Sequence, residues 1–392
     1  MKKFVLFLTL VMVTVFILTI QPTLASGPIY YDGDDFNIVV IGVDGTIRNR
    51  FMNMYSKGKF PNLQLLSGDK IYNLTITNGA TDTKTGWTQF FTGYKAEVTG
   101  VYSNYDYQPI PEGYTIFEKL EDHFGDEDIA TAFYGAKGAN VGGVCPGEEG
   151  EVFGQPWCLV KNNLDHWENQ LGKNANVLEK ALWFLDTYSN QRFFAFFHLR
   201  EPDRSGHKFG EDSPEYRRRL KKADSFLGEI VAKLDDKGIY HKTYVWVVSD
   251  HGFDRRKTHH KNAPFTFFAS NDPNVVRSAN RMDFTPTWLE KYGISLGPIE
   301  NAPAVNGQSL YSIPTGCVPE GEGFVDYSKA PQCCPGLTLT NLSKLRKNGG
   351  CRKATGGKGD LSGYCTNCGD GECVPPENKC NCPVDCDPEY IP

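Results

Sequence analysis

The apolar stretch FNIVVIGV, residues 36–43, decides the fold because it ends abruptly at the polar pair Asp44 and Gly45. A short, continuous apolar run bounded by a polar turn is typical of a strand that is covered on both faces. Four further runs have the same character: ATAFYGA, RFFAFFHL, TYVWVVS and FTFFAS. Amphipathic helical stretches alternate with them, which predicts an α/β fold with a doubly wound, mostly parallel sheet and helices on both faces.

Two other strands are also followed directly by polar residues. EPDRSGH follows RFFAFFHL, and SDHG follows TYVWVV. Because the carboxyl ends of parallel strands form one ligand-binding edge, we expect Asp44, Asp203, His207, Asp250 and His251 to converge there. Carboxylates mixed with imidazoles suit a divalent cation, with zinc favoured and manganese as the alternative. These residues therefore predict a metal-dependent hydrolase.

A threonine-rich segment, ATDTKTGWTQFFTGY (residues 80–94), has the features of a site for a nucleophile. A helix is expected to open immediately after Thr85, so that its free amides would face an anion. A threonine hydroxyl is a weak nucleophile until metal coordination activates it, and this segment has neither the G-x-S-x-G turn of serine hydrolases nor a nearby base. Thr85 is therefore the candidate nucleophile for phosphoryl transfer.

Bulk composition excludes some functions and suggests a compartment. The 392 residues carry a formal net charge of −6, so an electrostatic nucleic-acid-binding surface is not expected. Residues 1–26 combine Lys2-Lys3, an apolar run and a small-residue end, as a signal peptide does. The apolar run is long enough that an uncleaved N-terminal anchor stays open. Both alternatives predict a secreted or cell-surface protein.

Twelve cysteines fit export, because disulfides persist outside the reducing cytosol. Cys145 and Cys158 lie alone, and the other ten fall between Cys317 and Cys386, so each group can pair fully. Composition changes after Pro314, which divides the chain into a hydrolase domain (27–314) and a Cys-rich, disulfide-stapled module (315–392).

The Cys-rich module leaves several alternatives open. A zinc ribbon competes with disulfides for Cys365 and Cys368, although a second clean C-x-x-C pair is missing. The acidic residues of the module are calcium candidates or simply solubilising charges, and they are Asp370, Glu372, Glu377 and Asp385. Composition alone suggests a cell-surface partner for this module.

Four motifs in order, VDG, TKTGWTQFFTG, EPDRSGH and SDHG, resemble those of the alkaline phosphatase superfamily. They are most similar to its type I phosphodiesterase/nucleotide pyrophosphatase branch, in which a T-K-T-F-P-N segment carries the nucleophile. The resemblance covers about residues 36–313. It includes DFTPTWLEKYGI and NGQSL, which look like the superfamily's closing helix and strand.

The resemblance implies two metal sites. The first comprises Asp44, Thr85, Asp250 and His251, and the second comprises Asp203, His207 and a later histidine. His259 and His260 both qualify for that position, and His259 is favoured because it follows a small residue. Thr88 stands where the branch has an asparagine that holds a phosphoryl oxygen, which weakens the case for nucleotide-type substrates.

The expected activity is hydrolysis of phosphate esters, either phosphodiesters or pyrophosphates, through a phospho-threonine intermediate. The substrate would be a small molecule or a glycan- or lipid-linked phosphate ester. One alternative is a phosphomonoesterase or sulfatase-like esterase on the same fold. Another is a surface binding protein with a degenerate hydrolase domain.

Overall fold

The computed structural model describes residues 35–387 with gaps, so the predicted signal peptide or anchor lies outside the described residues. The gaps are residues 69, 77, 139–141, 147–154, 295–302, 314–315, 321–322, 325–332, 335–336, 342–343, 346–349, 353–362, 370 and 374–376. Within the described ranges, no helix is both long and apolar enough to cross a membrane.

A seven-stranded sheet forms the centre of the large domain, with the order β2-β7-β6-β1-β5-β3-β4. Neighbouring strands from β6 to β4 run parallel, whereas β7 is antiparallel to both β6 and β2. The strands are β1 (Asn37–Val43), β2 (Tyr72–Thr75), β3 (Ala130–Gly135), β4 (His166–Glu168), β5 (Phe193–Leu199), β6 (Thr243–Val248) and β7 (Phe265–Ser270). All five predicted strands are confirmed.

Helices connect these strands and cover the sheet. They are α1 (Arg48–Tyr55), α2 (Pro61–Ser67), α3 (Thr83–Thr92), α4 (Ala96–Thr99), α5 (Ile116–Phe124), α6 (Asn174–Thr187), α7 (Asp203–Phe209), α8 (Pro214–Asp236) and α9 (Phe284–Lys291). Local sequence explains several boundaries: Ser213 caps α8 through the Tyr216 amide, and Thr115 with Glu118 forms a capping box at α5.

Both faces of the sheet are buried, as a doubly wound fold requires. Alternate residues of β1 enter opposite cores: Val39 and Ile41 belong to one apolar cluster, and Ile38 and Val40 belong to the other. The predicted α/β class is therefore confirmed.

The closing part of the domain differs from expectation in one element. DFTPTWLEKYGI forms α9 as predicted, but residues 306–310 (NGQSL) are not a strand. The backbone amides of this segment donate to side chains instead of to a neighbouring strand. The amide of Gln308 donates to Asp283 Oδ1 (3.0 Å), and the amide of Leu310 donates to Thr287 Oγ1 (2.9 Å).

Disulfides staple the C-terminal module, whose described elements are short. They are β8 (Gly323–Phe324), β9 (Thr338–Asn341), β10 (Lys344–Leu345), β11 (Cys351–Arg352), β12 (Gly363–Thr366) and α10 (Pro383–Cys386). Five disulfides lie within it: Cys317–Cys334, Cys333–Cys365, Cys351–Cys380, Cys368–Cys382 and Cys373–Cys386. Together with Cys145–Cys158 they pair every cysteine within its predicted group, which excludes the zinc-ribbon alternative.

Candidate metal centre

Three buried aspartates meet at the carboxyl edge of the sheet. Asp44 follows β1, Asp203 opens α7 after β5, and Asp250 follows β6, because these strands are neighbours in the parallel part of the sheet. The amide of Gly45 donates to Asp250 Oδ1 (3.1 Å), which connects the first and third loops. Gly45 and Asp250, 205 positions apart in sequence, therefore lie at one site, as the strand pattern predicted.

Histidines complete two candidate ligand groups around these carboxylates. Asp44, Asp203 and His251 each offer one ligand atom, and these atoms lie within 4.8 Å of one another. The same is true of Asp203, His207 and His260. His251 Nε2 is 3.5 Å from both Asp44 Oδ1 and Asp250 Oδ2, so Asp250 adjoins the first group.

His260, rather than His259, reaches the second group. His260 Nε2 lies 3.2 Å from His207 Nε2 and 3.9 Å from Asp203 Oδ1. The His259 ring points elsewhere: its Nδ1 pairs with Asp254 Oδ2 at 2.7 Å, and its side chain is 47% exposed. The geometry therefore brings His260, and not His259, into the candidate ligand group with Asp203 and His207.

The candidate nucleophile Thr85 lies within the helix, because α3 begins at Thr83, three residues earlier than predicted. Thr83 Oγ1 is 3.4 Å from His251 Nε2. Thr85 lies about 200° further around the helix, and its methyl group packs beside Gly79. The buried hydroxyls of Thr85 and Thr88 have no hydrogen-bond partner. The structure thus brings Thr83 to the centre, and it brings neither Thr85 nor Thr88 into hydrogen-bond contact with it.

Three residues that the sequence analysis missed contact the centre or its nucleophile segment. Lys137 donates to Asp44 Oδ2 (2.8 Å) and Asp203 Oδ2 (2.7 Å), and its Nζ is 3.3 Å from Thr83 Oγ1. His198 Nε2 is 3.1 Å from Asp44 Oδ2. Asn104 Oδ1 accepts from the amide of Lys84 (3.0 Å). Of these three, Lys137 could have been placed at this edge from the sequence, because it directly follows the predicted strand ATAFYGA.

Neighbouring charges shift the pKa values of the centre in opposite directions. Burial is the largest influence on Asp44 and raises its pKa, but Lys137 and His198 together outweigh burial, so the net pKa is lowered. Burial and the Asp44 charge raise the pKa of Asp250 well above its usual value. Burial and the adjacent His251 lower the pKa of His260 to about 4, so its ring is neutral at neutral pH. The group thus offers a neutral imidazole beside carboxylates that repel one another.

The residues present fit a divalent cation. Asp44 Oδ1, Asp203 Oδ1 and Asp250 Oδ2 are buried without a hydrogen-bond partner, although buried carboxylate oxygens are ordinarily satisfied. A cation between them would satisfy all three and remove their mutual repulsion. Oxygen and imidazole ligands without thiolate suit zinc, with manganese as the alternative.

Buried side chains from other helices hold the loops in place. Tyr216 Oη, from α8, donates to the carbonyl of Gly45 (2.7 Å) and accepts from the amide of Ile47 (3.0 Å). Arg281 donates to Gln89 Oε1 of α3 (2.9 Å) and to the carbonyl of Asp250 (3.3 Å). Arg281 thus fixes α3 relative to the Asp250 loop, and Tyr216 fixes the loop after Asp44 relative to α8.

A second acidic group, in the C-terminal module, does not form a comparable site. Glu377 and Asp385 lie near Cys368 and Cys382, but those sulfurs form a disulfide and provide no thiolate. Asp385 Oδ1 accepts from the amide of Gly371 (2.9 Å), as a turn-stabilising residue does. Of the other calcium candidates, Asp370 lies outside the described residues.

The α/β fold is that of a hydrolase on an alkaline-phosphatase-like scaffold. The model of the type I phosphodiesterase / nucleotide pyrophosphatase family matches residues 38–294, which is more than half of the chain. The chain therefore belongs to this family, within the alkaline phosphatase superfamily, as the motifs predicted.

Individual relatives match over shorter segments. The bis(5'-adenosyl)-triphosphatase enpp4 of Mus musculus is 47% identical over 60 residues, which is 15% of this chain and 13% of that protein. Venom phosphodiesterase CdcPDE of Crotalus durissus collilineatus is 27% identical over 109 residues, covering 28% of this chain and 13% of that protein. The aligned segments thus span a small part of these relatives' length.

Solved structures agree on the fold. A putative sulfatase from Bacteroides fragilis superimposes with a TM-score of 0.50 at 14% identity, covering 72% of this chain and 78% of that chain. A 2-O GAG sulfatase gives a TM-score of 0.51 at 11% identity, covering 78% and 80%.

Proposed function

We propose that the protein hydrolyses phosphate esters, with phosphodiester or pyrophosphate bonds as the first candidates, and that Thr83 is the nucleophile. One observation carries the proposal: the Thr83 hydroxyl lies 3.4 Å from His251 at the edge of a buried group of carboxylates and imidazoles. Family membership supports the same class of reaction.

Two divalent ions, zinc before manganese, fit the ligand groups. Asp44, Asp250, His251 and Thr83 would hold one ion, and Asp203, His207 and His260 would hold the other. When bound, such ions supply positive charge to phosphoryl oxygens and lower the pKa of a coordinated hydroxyl.

The proposed reaction has two steps, formation of a phospho-threonine and its hydrolysis. The Thr83 hydroxyl attacks phosphorus, the bond to the leaving oxygen breaks, and the proton of Thr83 passes to the displaced alcohol or phosphate, which leaves phospho-threonine. Water hydrolyses this ester and restores the hydroxyl. Thr83 is the first residue of α3, whose N-terminus carries a partial positive charge that favours the anionic group.

The disulfides support an extracellular or cell-surface location, because six of them would not persist in a reducing cytosol. The substrate would be a small-molecule or a glycan- or lipid-linked phosphate ester. The C-terminal module would serve attachment or recognition at the cell surface.

The alternatives have less support. A sulfatase of the formylglycine type needs a free cysteine or serine at the nucleophile, whereas threonine stands there and every cysteine is in a disulfide. A degenerate binding protein would have no need of three buried carboxylates with unsatisfied oxygens.

Elemental analysis combined with a panel of model phosphate mono- and diesters tests the proposal. We expect about two divalent ions per chain and loss of ester hydrolysis on chelation, with recovery on adding zinc. A protein that binds no metal under zinc-replete conditions would refute the proposal.

A further inference from the structure

A buried carboxylate outside both ligand groups, that of Asp254, organises the loop that carries His260. The loop, residues 253–262, leaves the sheet after β6 and returns to it before β7. Its ends meet where the amide of Gly252 donates to the carbonyl of Ala263 (3.2 Å). Asp254 is buried, and no step proposed above uses it. Because a buried charge is costly unless hydrogen bonds satisfy it, the partners of Asp254 indicate what it holds in place.

The hydrogen bonds of Asp254 join the start of this loop to its middle and its end. Asp254 Oδ1 accepts from the amide of Asn262 (2.8 Å), and Asp254 Oδ2 pairs with His259 Nδ1 (2.7 Å). The amide of Asp254 donates to the carbonyl of His259 (3.0 Å), and its carbonyl accepts from the amide of Lys257 (3.0 Å). These contacts of one residue close residues 254–262 into a compact turn.

The closed turn places two of the three side chains of the second group. His260 Nε2 lies 3.2 Å from His207 Nε2, so the turn presents one ring directly. The carbonyl of Thr258 lies 2.8 Å from His207 Nδ1, while His207 Nε2 lies 3.3 Å from Asp203 Oδ1. A hydrogen bond to the second ring nitrogen of a metal-binding histidine orients its ring. The turn that Asp254 closes therefore acts on His207 as well as on His260.

Other contacts hold the first group. The amide of Gly45 donates to Asp250 Oδ1 (3.1 Å), and His251 Nδ1 lies 2.9 Å from the carbonyl of Gly252. Both contacts lie in segments that follow β1 and β6, before the turn begins. A change at Asp254 should therefore affect the second group more than the first.

A second buried carboxylate, that of Glu211, ties the turn to α7 and α8. Glu211 lies between these helices, and its Oε1 accepts from the amide of Arg256 (2.8 Å). Arg256 has a φ of 59°, a left-handed conformation that is unfavourable for a residue with a side chain. Because α7 carries Asp203 and His207, this bond keeps the turn in place beside the helix that provides the other ligands.

We propose that Asp254 is a positioning residue for the second metal ion, because the turn that it closes holds the rings of His207 and His260 close enough to share one ion. This rests on the two-ion centre of the proposed function. Asp254 does not bind the ion itself, since its carboxylate is engaged by His259 and by the amide of Asn262. It acts through the backbone of the turn.

Zinc titration of the full-length, disulfide-bonded protein against a chromophoric chelator tests this role. We expect Asp254→Ala to bind one zinc ion as the parent does and the second about 100-fold more weakly. Asp254→Asn keeps an oxygen that accepts from the amide of Asn262, so its loss should be smaller. Asp272→Ala is the matched control, because Asp272 is similarly buried and accepts from the amide of Asn274 (3.0 Å) in the turn after β7. The control should lose stability and bind both ions as the parent does.

A double variant separates positioning from a general loss of structure. In a His260→Ala background, Asp254→Ala should weaken binding of the second ion by a much smaller factor, because the ring that Asp254 positions is already absent. Equal weakening in both backgrounds would overturn the proposal. So would equal loss of both ions, the same loss in Asp272→Ala, or a second ion that Asp254→Ala binds as tightly as the parent. A parent that binds two ions and hydrolyses no phosphate ester would refute the proposed function instead, and the titration would still decide the role of Asp254.

Discussion

The backbone amide of Asp203 donates a hydrogen bond to the carbonyl oxygen of Asp44 (3.0 Å), so the loops that carry two central carboxylates are joined directly. The contact follows from the sheet, in which Val43 of β1 is paired with Leu199 of β5. The spacing of the two carboxylates is therefore set by strand register, and side-chain flexibility contributes little. This rigidity is what a centre for two neighbouring ions requires.

The two adjacent histidines provide the first prediction. His260→Ala should weaken zinc binding and lower the hydrolysis rate by orders of magnitude, because it removes a ring that contacts His207 and lies near Asp203. His259→Ala should cost about 10- to 100-fold at most, since its ring pairs with Asp254 and affects the centre only through the loop. The zinc content of each variant and its rate with a model ester measure the two effects. A larger loss for His259→Ala than for His260→Ala would identify His259 as the ligand.

The second prediction concerns stability against pH and involves Glu121, outside the metal centre. Burial raises the pKa of Glu121 from 4.5 to about 7, and Thr131 Oγ1 donates to its carboxyl group. The folded state therefore holds the proton more tightly than the unfolded state. This contribution to stability is fully present below about pH 4.5 and is lost as the pH rises through about 7.

Glu121→Gln replaces the carboxyl group by an amide that does not ionise, so the loss of stability at high pH should disappear. Because the side chain is only half-buried, we expect a discounted gain of about 1 to 2 kcal/mol in the free energy of unfolding at about pH 8, and little gain near pH 4.5. Chemical denaturation at both pH values measures this, with Glu179→Gln on the exposed face of α6 as control. A pH-independent gain would show that the carboxyl group does not titrate as described.

The third prediction is that truncation after about Pro314 leaves a folded, metal-binding and catalytic domain. The C-terminal module contacts that domain where Asn49 Nδ2 donates to the carbonyl of Val384 (3.3 Å) and where Gly369 packs on the ring of Phe265. Losing these contacts should reduce stability by about 1 to 2 kcal/mol. Thermal unfolding and rates with a model ester measure the outcome. A truncated protein that folds and binds zinc but hydrolyses nothing would place the module in the active site.

Much of the architecture was predictable because its signals are local in the sequence. Buried parallel strands such as FNIVVIGV must be apolar throughout, and the polar residues that follow them must lie at one edge. Cysteine pairing within two groups was equally predictable from their separation. The missing strand at residues 306–310 was not, because Asp283 and Thr287 replace a strand partner by side-chain hydrogen bonds.

The differences between the predicted and the observed arrangement of the site have geometric causes. His259 and His260 are adjacent, so the loop conformation alone decides which ring turns inward, and the amide of Asp254 closes that loop onto the carbonyl of His259 (3.0 Å). Thr83 and Thr85 point to different sides of a helix, so a difference of three residues in the helix start changes which threonine faces the carboxylates. Helix starts are the least reliable part of a sequence-based prediction. Lys137 was missed because one lysine after a strand is an ordinary surface feature.

The central claim is that Thr83 is the nucleophile, and the matched pair Thr83→Val and Thr85→Val tests it most directly. Valine keeps the shape of threonine and removes the hydroxyl, and the Thr85 hydroxyl has no hydrogen-bond partner to lose. With both zinc-loaded variants assayed on one model ester, Thr83→Val should lose about 10⁴-fold or more in kcat, and Thr85→Val should stay near the parent. An active Thr83→Val protein beside an inactive Thr85→Val protein would contradict the account.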